Sequence, residues 1–397
     1  MIVRHFLRWI QTAPAADRAD ATSALARAYL HSDLGAGDRA AAEAAMTVLL
    51  DDPSPLVRRA LAEALAHAEE APHTVLVGLL QDQPEIAAIV VRHSPLLIDA
   101  ELVDLVGAGE PLIQYAIARR TLVPAPVAAA IAEVGCVEAC LALVALDNAD
   151  LPDFSIDRIV ARFGDDPDIR EALFQRADLS AGARQALVVK LSEALSSFVT
   201  GRGWLAPDRA GRIVREASEK ATVVIAAAAP TTNLSSLARH LRRSGQLTTG
   251  LILRALLSGH VRLFEEALAE LSGLSARRVS GLVHDRRGSG FRALYEQAGL
   301  PVSAYPAFAA ALEAWHAEGM VPTGRSGDAL LRRRMVERVL TAYAPLAASE
   351  LDQLLVLLRR FAAEAARDEA RAFTEDLIAG RDALDDDDLM FPLAAAA

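Results

Sequence analysis

Residues 51–66 read DDPSPLVRRALAEALA: two acids, a serine between two prolines, then an apolar stripe with arginines beside it. Proline has no N–H to donate and its φ is already near the helical value, so it is tolerated in the first turn of a helix. Ser54 is placed to cap the unpaired N–H groups, with Pro55 as the first helical residue. Asp51 and Asp52 stand where the positive end of the helix dipole favours acids. Val57, Ala60, Leu61, Ala64, Leu65 and Ala68 then recur at the spacing of one buried helical face. Arg59 and Glu63, four apart, are expected to pair on the outer side.

The block returns. Val57-Arg58-Arg59-Ala60-Leu61 is echoed by Ile86-Ala87-Ala88-Ile89-Val90, Ile113-Gln114-Tyr115-Ala116-Ile117, Val137-Glu138-Ala139-Cys140-Leu141 and Ile169-Arg170-Glu171-Ala172-Leu173. The starts lie 29, 27, 24 and 32 residues apart. Pro53/Pro55, Pro84, Pro111 and Pro167 precede four of them, and Gly135 the other. A period near thirty suits two short helices and two turns, a unit that buries its apolar face only by stacking on neighbours. Asp52-Pro53 with Val57-Arg58-Arg59-Ala60-Leu61, and Asp166-Pro167 with Ile169-Arg170-Glu171-Ala172-Leu173, resemble the second-helix signature of HEAT-like repeats. That resemblance implies Asp–Arg bonds between adjacent units. Only two units keep both residues, Asp52/Arg58 and Asp166/Arg170, and the period is short for the family, so the stack is expected to be irregular.

Composition supports an all-α chain. Hydrophobic residues make up 52% of the 397 and aromatics only 5%, which suits closely packed helices. The fold expected is an irregular, HEAT-like, right-handed helical-repeat solenoid with a helical C-terminal region. The formal charge of −11 argues against non-specific binding of nucleic acid or anionic lipid by the whole surface. Lys190 and Lys220 are the only lysines. Cys136 and Cys140, one turn apart, are read as packing residues, because two thiols do not complete a zinc site and make no disulfide framework. A reducing cytoplasm is expected, with no cofactor and no metal. No apolar run has the ~18 residues of a membrane span. The opening MIVRHFLRWIQTA is no secretion signal; its stripe Val3, Phe6, Leu7 and Ile10 is expected to dock on the stack.

Past residue 200 the repeat fades. A helix is expected over 208–228, then short ones over 234–243, 248–258, 260–272, 275–284, 288–298 and 303–318, punctuated by Gly245, Gly259, Gly273, Gly288 and Gly299. LLSGHVRLFEEALAELSGL (256–274) and FRALYEQAGLP (291–301) resemble an uncharacterised alphaproteobacterial family, the domain of unknown function numbered 2336. GRGWLAPDRAGRIVREA (201–217), the opening MIVRHFLRW and DDPSPLVRRALAEALA share its appearance. The resemblance spans roughly residues 1–320; it implies a helical, HEAT-like cytoplasmic protein and no established activity. Residues 329–343 and 348–379 read as a helical hairpin broken at Pro345. Leu351, Leu354/Leu355, Leu358, Phe361 and Ala365 form a seam that packs in cis or supports a homodimer through 348–379. The domains expected are HEAT-like repeats over 1–200, a helical family-signature domain over 201–320, the hairpin over 321–379 and an acidic disordered tail over 380–397.

The sequence has no G-x-S-x-G elbow, no H-E-x-x-H and no CxxC pair, so it is read as a non-enzyme. His284-Asp285-Arg286-Arg287-Gly288-Ser289-Gly290 is its most suggestive cluster: backbone N–H groups at a helix start beside two arginines can hold an anion. Residues 239–292 hold ten arginines and four acids, a local excess of six that leaves −17 for the rest. Arg239, Arg242, Arg243, Arg277, Arg278, His284, Arg286, Arg287 and Ser289 form the candidate partner or anion surface. The expected function is a scaffold or adaptor that binds another protein. The alternative is phosphate-dependent binding of nucleic acid or a nucleotide through 239–292.

Overall fold

A computed structural model describes residues 2–146, 149–285, 289–318, 324–346 and 353–388. The chain is helical throughout these residues, apart from one isolated bridge between Val123 and Ala149. Its contacts divide it into two units, Met1–Leu179 and Ser180–Ala397.

The first unit contains α1 (Ile2–Trp9), α2 (Ala15–His31), α3 (Ala36–Leu49), α4 (Pro55–Leu65), α5 (His73–Leu80) and α6 (Pro84–His93). It continues through α7 (Asp99–Gly107), α8 (Pro111–Ala118), α9 (Ala125–Val134), α10 (Val137–Val144), α11 (Asp153–Phe163) and α12 (Pro167–Gln175). The even helices form one packed row, α2 on α4, α4 on α6, and so on to α12. The odd helices form a second, with α1 on α3, α3 on α5, α7 on α9 and α9 on α11. The five sequence echoes are the first turns of α4, α6, α8, α10 and α12. Pro55, Pro84, Pro111 and Pro167 each open a helix of the even row.

The expected stripe on α4 is the buried one: Val57, Leu61 and Leu65 are fully enclosed, and Ala60, Ala64 and Ala68 pack at the cluster's edge. Arg59 and Glu63 pair at 2.8 Å with both side chains more than half exposed. Ser54 occupies the N-cap position, but its side chain caps nothing. Its own N–H donates instead to Asp52 Oδ1 at 2.8 Å, which ties the turn to Asp52. On α1, Phe6 and Ile10 pack against the core of the first unit, as expected for a docked helix.

The second unit contains α13 (Ala181–Gly201), α14 (Pro207–Ala228), α15 (Leu234–Arg243), α16 (Thr249–Leu257), α17 (Val261–Ser272) and α18 (Ala276–Val283). It closes with α19 (Ser289–Gln297), α20 (Tyr305–Glu318), α21 (Gly324–Tyr343) and α22 (Gln353–Asp388). Gly245, Gly259, Gly273 and Gly299 all have positive φ at helix ends, the conformation for which glycine is suited. Gly288 lies outside the described residues.

The two units divide the chain at other places than the expected domains. Residues 181–200 belong to the second unit, because Ala181 enters its core and α13 packs on α14 and α15. No boundary falls at 320, because one core runs from Ala181 to Ala365 through α20, α21 and α22. Of the expected acidic tail, residues 380–388 fall within the bounds of α22. Residues 389–397 lie outside the described residues. Leu355, Leu358, Phe361 and Ala365 are buried against the chain's own core, so this seam packs in cis.

Candidate functional site

The arginine-rich segment separates into residues that hold the fold and residues that face outward. Arg254 belongs to the first kind. It is buried on α16, donates to Glu364 Oε2 at 2.7 Å, lies over the Phe361 ring at 4.3 Å and has Nε 3.9 Å from Glu219. Burial pushes the Glu219 carboxyl up, with the Thr248 hydroxyl (2.9 Å) and the charges of Arg254 and Arg215 opposing. Burial would also raise Glu364, but Arg254 and Lys220 outweigh it and hold that carboxyl low. Three helices are thereby joined, and Arg254, one of the ten arginines of 239–292, is engaged inside the fold. Arg292 is spent on Glu296, one turn away.

Arg239, Arg242 and Arg243 lie exposed on α15, and Arg277 and Arg278 exposed on α18. Both helices pack on α17. Arg242 is engaged with Glu270 of α17, through its backbone carbonyl and its carboxylate. The other four have no ion pair among the described residues. Arg286 and Arg287 lie outside the described residues. Ser289 begins α19, and its side chain is likewise outside them.

His284 sits at the end of α18, at the rim of a cavity of about 400 Å³ that Glu265, Ser280 and Trp315 also line. Its Nδ1 is 2.9 Å from the Ser280 carbonyl, 3.4 Å from the Ser280 hydroxyl and 3.2 Å from Glu265 Oε1. The ring meets Trp315 edge-on at 5.1 Å. A nucleophile relay needs the serine on one ring nitrogen and the acid on the other. Here both approach Nδ1, whose proton is directed to a main-chain carbonyl. The cluster is therefore arranged to fasten α18 to α17, and not to activate Ser280. Among the described residues, no group of three His, Cys, Asp or Glu is placed to hold a metal ion. Cys140 is buried and its thiol is pushed up to about 11, mainly by burial, which makes it a poor nucleophile.

The first unit offers a different kind of site, built by repetition. Consecutive helices joined by short turns run antiparallel. The turns from each odd helix to the next even one therefore share an edge. Along that edge, Arg18 forks onto Asp52 (2.9 and 2.8 Å), and Arg58 forks onto Asp82 (2.6 and 3.0 Å) while donating to the Asp52 carbonyl. Burial would raise both aspartates, but the arginine hydrogen bonds, a backbone N–H each and the arginine charges outweigh it and hold them below the usual carboxylate range. Further along, Gln114 takes the place of Arg58: its amide donates to the Val106 carbonyl and accepts from Cys136 N–H. Asp166 caps its own helix, and Arg170 bonds the Gly164 carbonyl. The Asp–Arg ladder is real for two rungs, and then gives way to backbone bonds.

Three more arginines, missed in the sequence, close helix ends. Arg120 donates to the carbonyls of Val91 and Ser94, Arg162 to those of Ala132 and Gly135, and Arg176 to that of Val144. These carbonyls end α6, α9 and α10, where the helix leaves acceptors unpaired. The same odd-to-even edge exposes one large apolar side chain after another: Trp9, Val48, Leu56, Val77, Leu112 and Val134.

No curated protein and no solved structure matches the chain. One family profile does match, over residues 86–348, beginning later and ending later than the resemblance read from the sequence. It covers the later repeats of the first unit and most of the second. The chain belongs to this family, described as an uncharacterised protein conserved in bacteria, DUF2336.

Proposed function

We propose that the protein is a non-enzymatic adaptor of the cytoplasm, and that its first unit is a HEAT-like, right-handed solenoid that docks another protein along the odd-to-even edge. The observation that carries this reading is the coincidence of two features on one edge. Arg18–Asp52 and Arg58–Asp82 clamp its first turns, Gln114 and Arg162 bond later ones, and the edge presents Trp9, Val48, Leu56, Val77, Leu112 and Val134 to solvent. Single exposed apolar residues are ordinary on a protein surface, but one at nearly every turn along a row suits a partner that lies along it. Rigid turns also lower the ordering cost of binding.

The test is affinity capture of the tagged full-length protein from its native cells, with the lysate split into nuclease-treated and untreated halves. The wild type is expected to enrich the same protein partner in both halves. Leu56→Asp/Val77→Asp is expected to lose it with an unchanged melting temperature, since both side chains are exposed. Undiminished capture by the double variant contradicts the docking edge. A second reading rests on Arg239, Arg243, Arg277 and Arg278, which stand exposed and unpaired among the described residues: they suit a phosphate-bearing ligand. Capture that disappears with nuclease, and falls steeply with salt, selects that reading.

A further inference from the structure

The second unit ends in two apolar patches of opposite charge. One is the tip of the α13–α14 hairpin. Only the first turns of α13 are buried; beyond Leu187 it exposes Leu191, Leu195 and Phe198 along one face. Trp204, 64% exposed in the turn, meets Phe198 edge-on at 5.8 Å, and the Arg202 guanidinium lies over both rings. Residues 198–215 hold four arginines and one acid, and Arg202, Arg209 and Arg212 are exposed with no ion pair among the described residues. The other patch is the far end of α22. Burial on this helix stops at Ala365, and Phe373, Leu377 and Ile378 stand more than half exposed. Residues 373–388 hold seven acids and one arginine.

These two surfaces do not meet within one chain. Arg360 bonds Glu216, and Glu364 and Asp368 both bond Lys220, so α22 and α14 run side by side in the same direction. The hairpin tip therefore lies back toward the start of α22, and Phe373, Leu377 and Ile378 lie the other way. At 1.5 Å per residue, the two patches stand roughly 40 Å apart along the helix pair. Two acidic ends do not pair with each other readily, because like charges repel across a helix interface.

We propose that the α13–α14 tip is a docking site for the acidic, apolar end of α22 from a second copy of this chain. Phe373, Leu377 and Ile378 lie against Leu195, Phe198 and Trp204, and the acids that follow meet Arg202, Arg209 and Arg212. A reciprocal arrangement makes the contact twice in a closed two-fold dimer; a one-way arrangement makes an open chain. Charge complementarity fixes the direction, and the apolar residues supply most of the affinity. This inference is independent of the partner edge on the first unit.

Sedimentation velocity on the full-length protein tests it, with two charge-reversed variants. One carries Arg202→Glu, Arg209→Glu and Arg212→Glu; the other carries Asp385→Lys, Asp386→Lys, Asp387→Lys and Asp388→Lys. The wild type is expected to self-associate, more weakly as salt rises. Each variant alone is expected to weaken association by about tenfold or more, with its melting temperature unchanged; Arg202, Arg209 and Arg212 are exposed. Mixing the two variants restores association, since each then meets an oppositely charged counterpart at both contacts. A wild type that stays monomeric at every accessible concentration overturns the proposal, as does a mixture that stays dissociated. Binding of the monomer to vesicles of anionic phospholipid, lost in the tip variant, overturns it in favour of a membrane surface.

Discussion

The two units are held together by different means. In the first, each clamp joins neighbours: Arg18 to Asp52, Arg58 to Asp82 and Gln114 to Cys136 link one turn to the next, about one repeat away in the chain. The cluster from Ala19 to Val90 is Ala, Val, Leu and Ile with Met46, and Tyr29 is its one buried aromatic. In the second, Arg254 of α16 bonds Glu364 of α22, and Lys220 of α14 bonds Glu364 and Asp368, across more than a hundred residues. Its core is aromatic: Phe264, Phe291, Tyr295 and Phe308 stack or meet edge-on within 6.2 Å. A stack of local contacts accumulates stability unit by unit, whereas a core closed by distant helices stands or falls together.

The largest expected effect tests the distant closure. Arg254→Ala leaves Glu219 buried without its nearby cation and Glu364 with Lys220 alone, and removing one member of a buried charged set costs up to about 3–5 kcal/mol. Urea unfolding followed by hydrogen exchange is expected to show the second unit opening as a whole while α2–α8 keep their protection. Loss of protection in both units alike would break the comparison.

A smaller effect is expected in the first unit. Asp82→Ala strands Arg58 and costs about 2 kcal/mol, with exchange rising in the turns around α4 and α6 and not in α16 or α22. The acid response carries a defined sign. Asp52 and Asp82 are held low in the folded chain, so their contribution is complete above the ordinary carboxylate value of about 3.9 and is lost as pH falls through their lowered values. Asp52→Asn/Asp82→Asn is expected to flatten that part of the pH dependence. Glu219 runs the other way: burial raises it, so its penalty is present at neutral pH and relieved as pH falls through its raised value. Glu219→Gln is therefore expected to leave the second unit as stable as the wild type or more so. The smallest effect belongs to Arg59→Ala, whose partner Glu63 is exposed; a loss under about 0.5 kcal/mol is expected by chemical denaturation.

This contrast also accounts for what could be read from the sequence. The even row was legible because each of its helices repeats an aliphatic start and most open on a proline, a local pattern with a local cause. The rung Arg58–Asp82 was not, because its acid opens the next repeat, 24 residues on, where the template carries no arginine. The division at Leu179 has no signal in the sequence, because Ala181–Leu187 look like any other Ala/Leu turn; Ala181 packs into the second unit's core. Arg254 was counted as surface charge because its two acids lie 35 residues before it and 110 after it, beyond any helical spacing. Arg239, Arg243, Arg277 and Arg278 are exposed, since on α15 and α18 they fall opposite Leu237, Leu241, Val279 and Val283. The cavity beside His284 had only its histidine as a signal; Glu265 and Trp315 reach it from other helices.

Hydrogen–deuterium exchange of the full-length protein with its captured partner tests the docking edge most directly. The account predicts new protection at the odd-to-even turns around residues 50–56, 81–84, 108–112 and 135–136, with α15 and α18 unchanged. Protection confined to α15 and α18, with those turns exchanging as in the free protein, would contradict it.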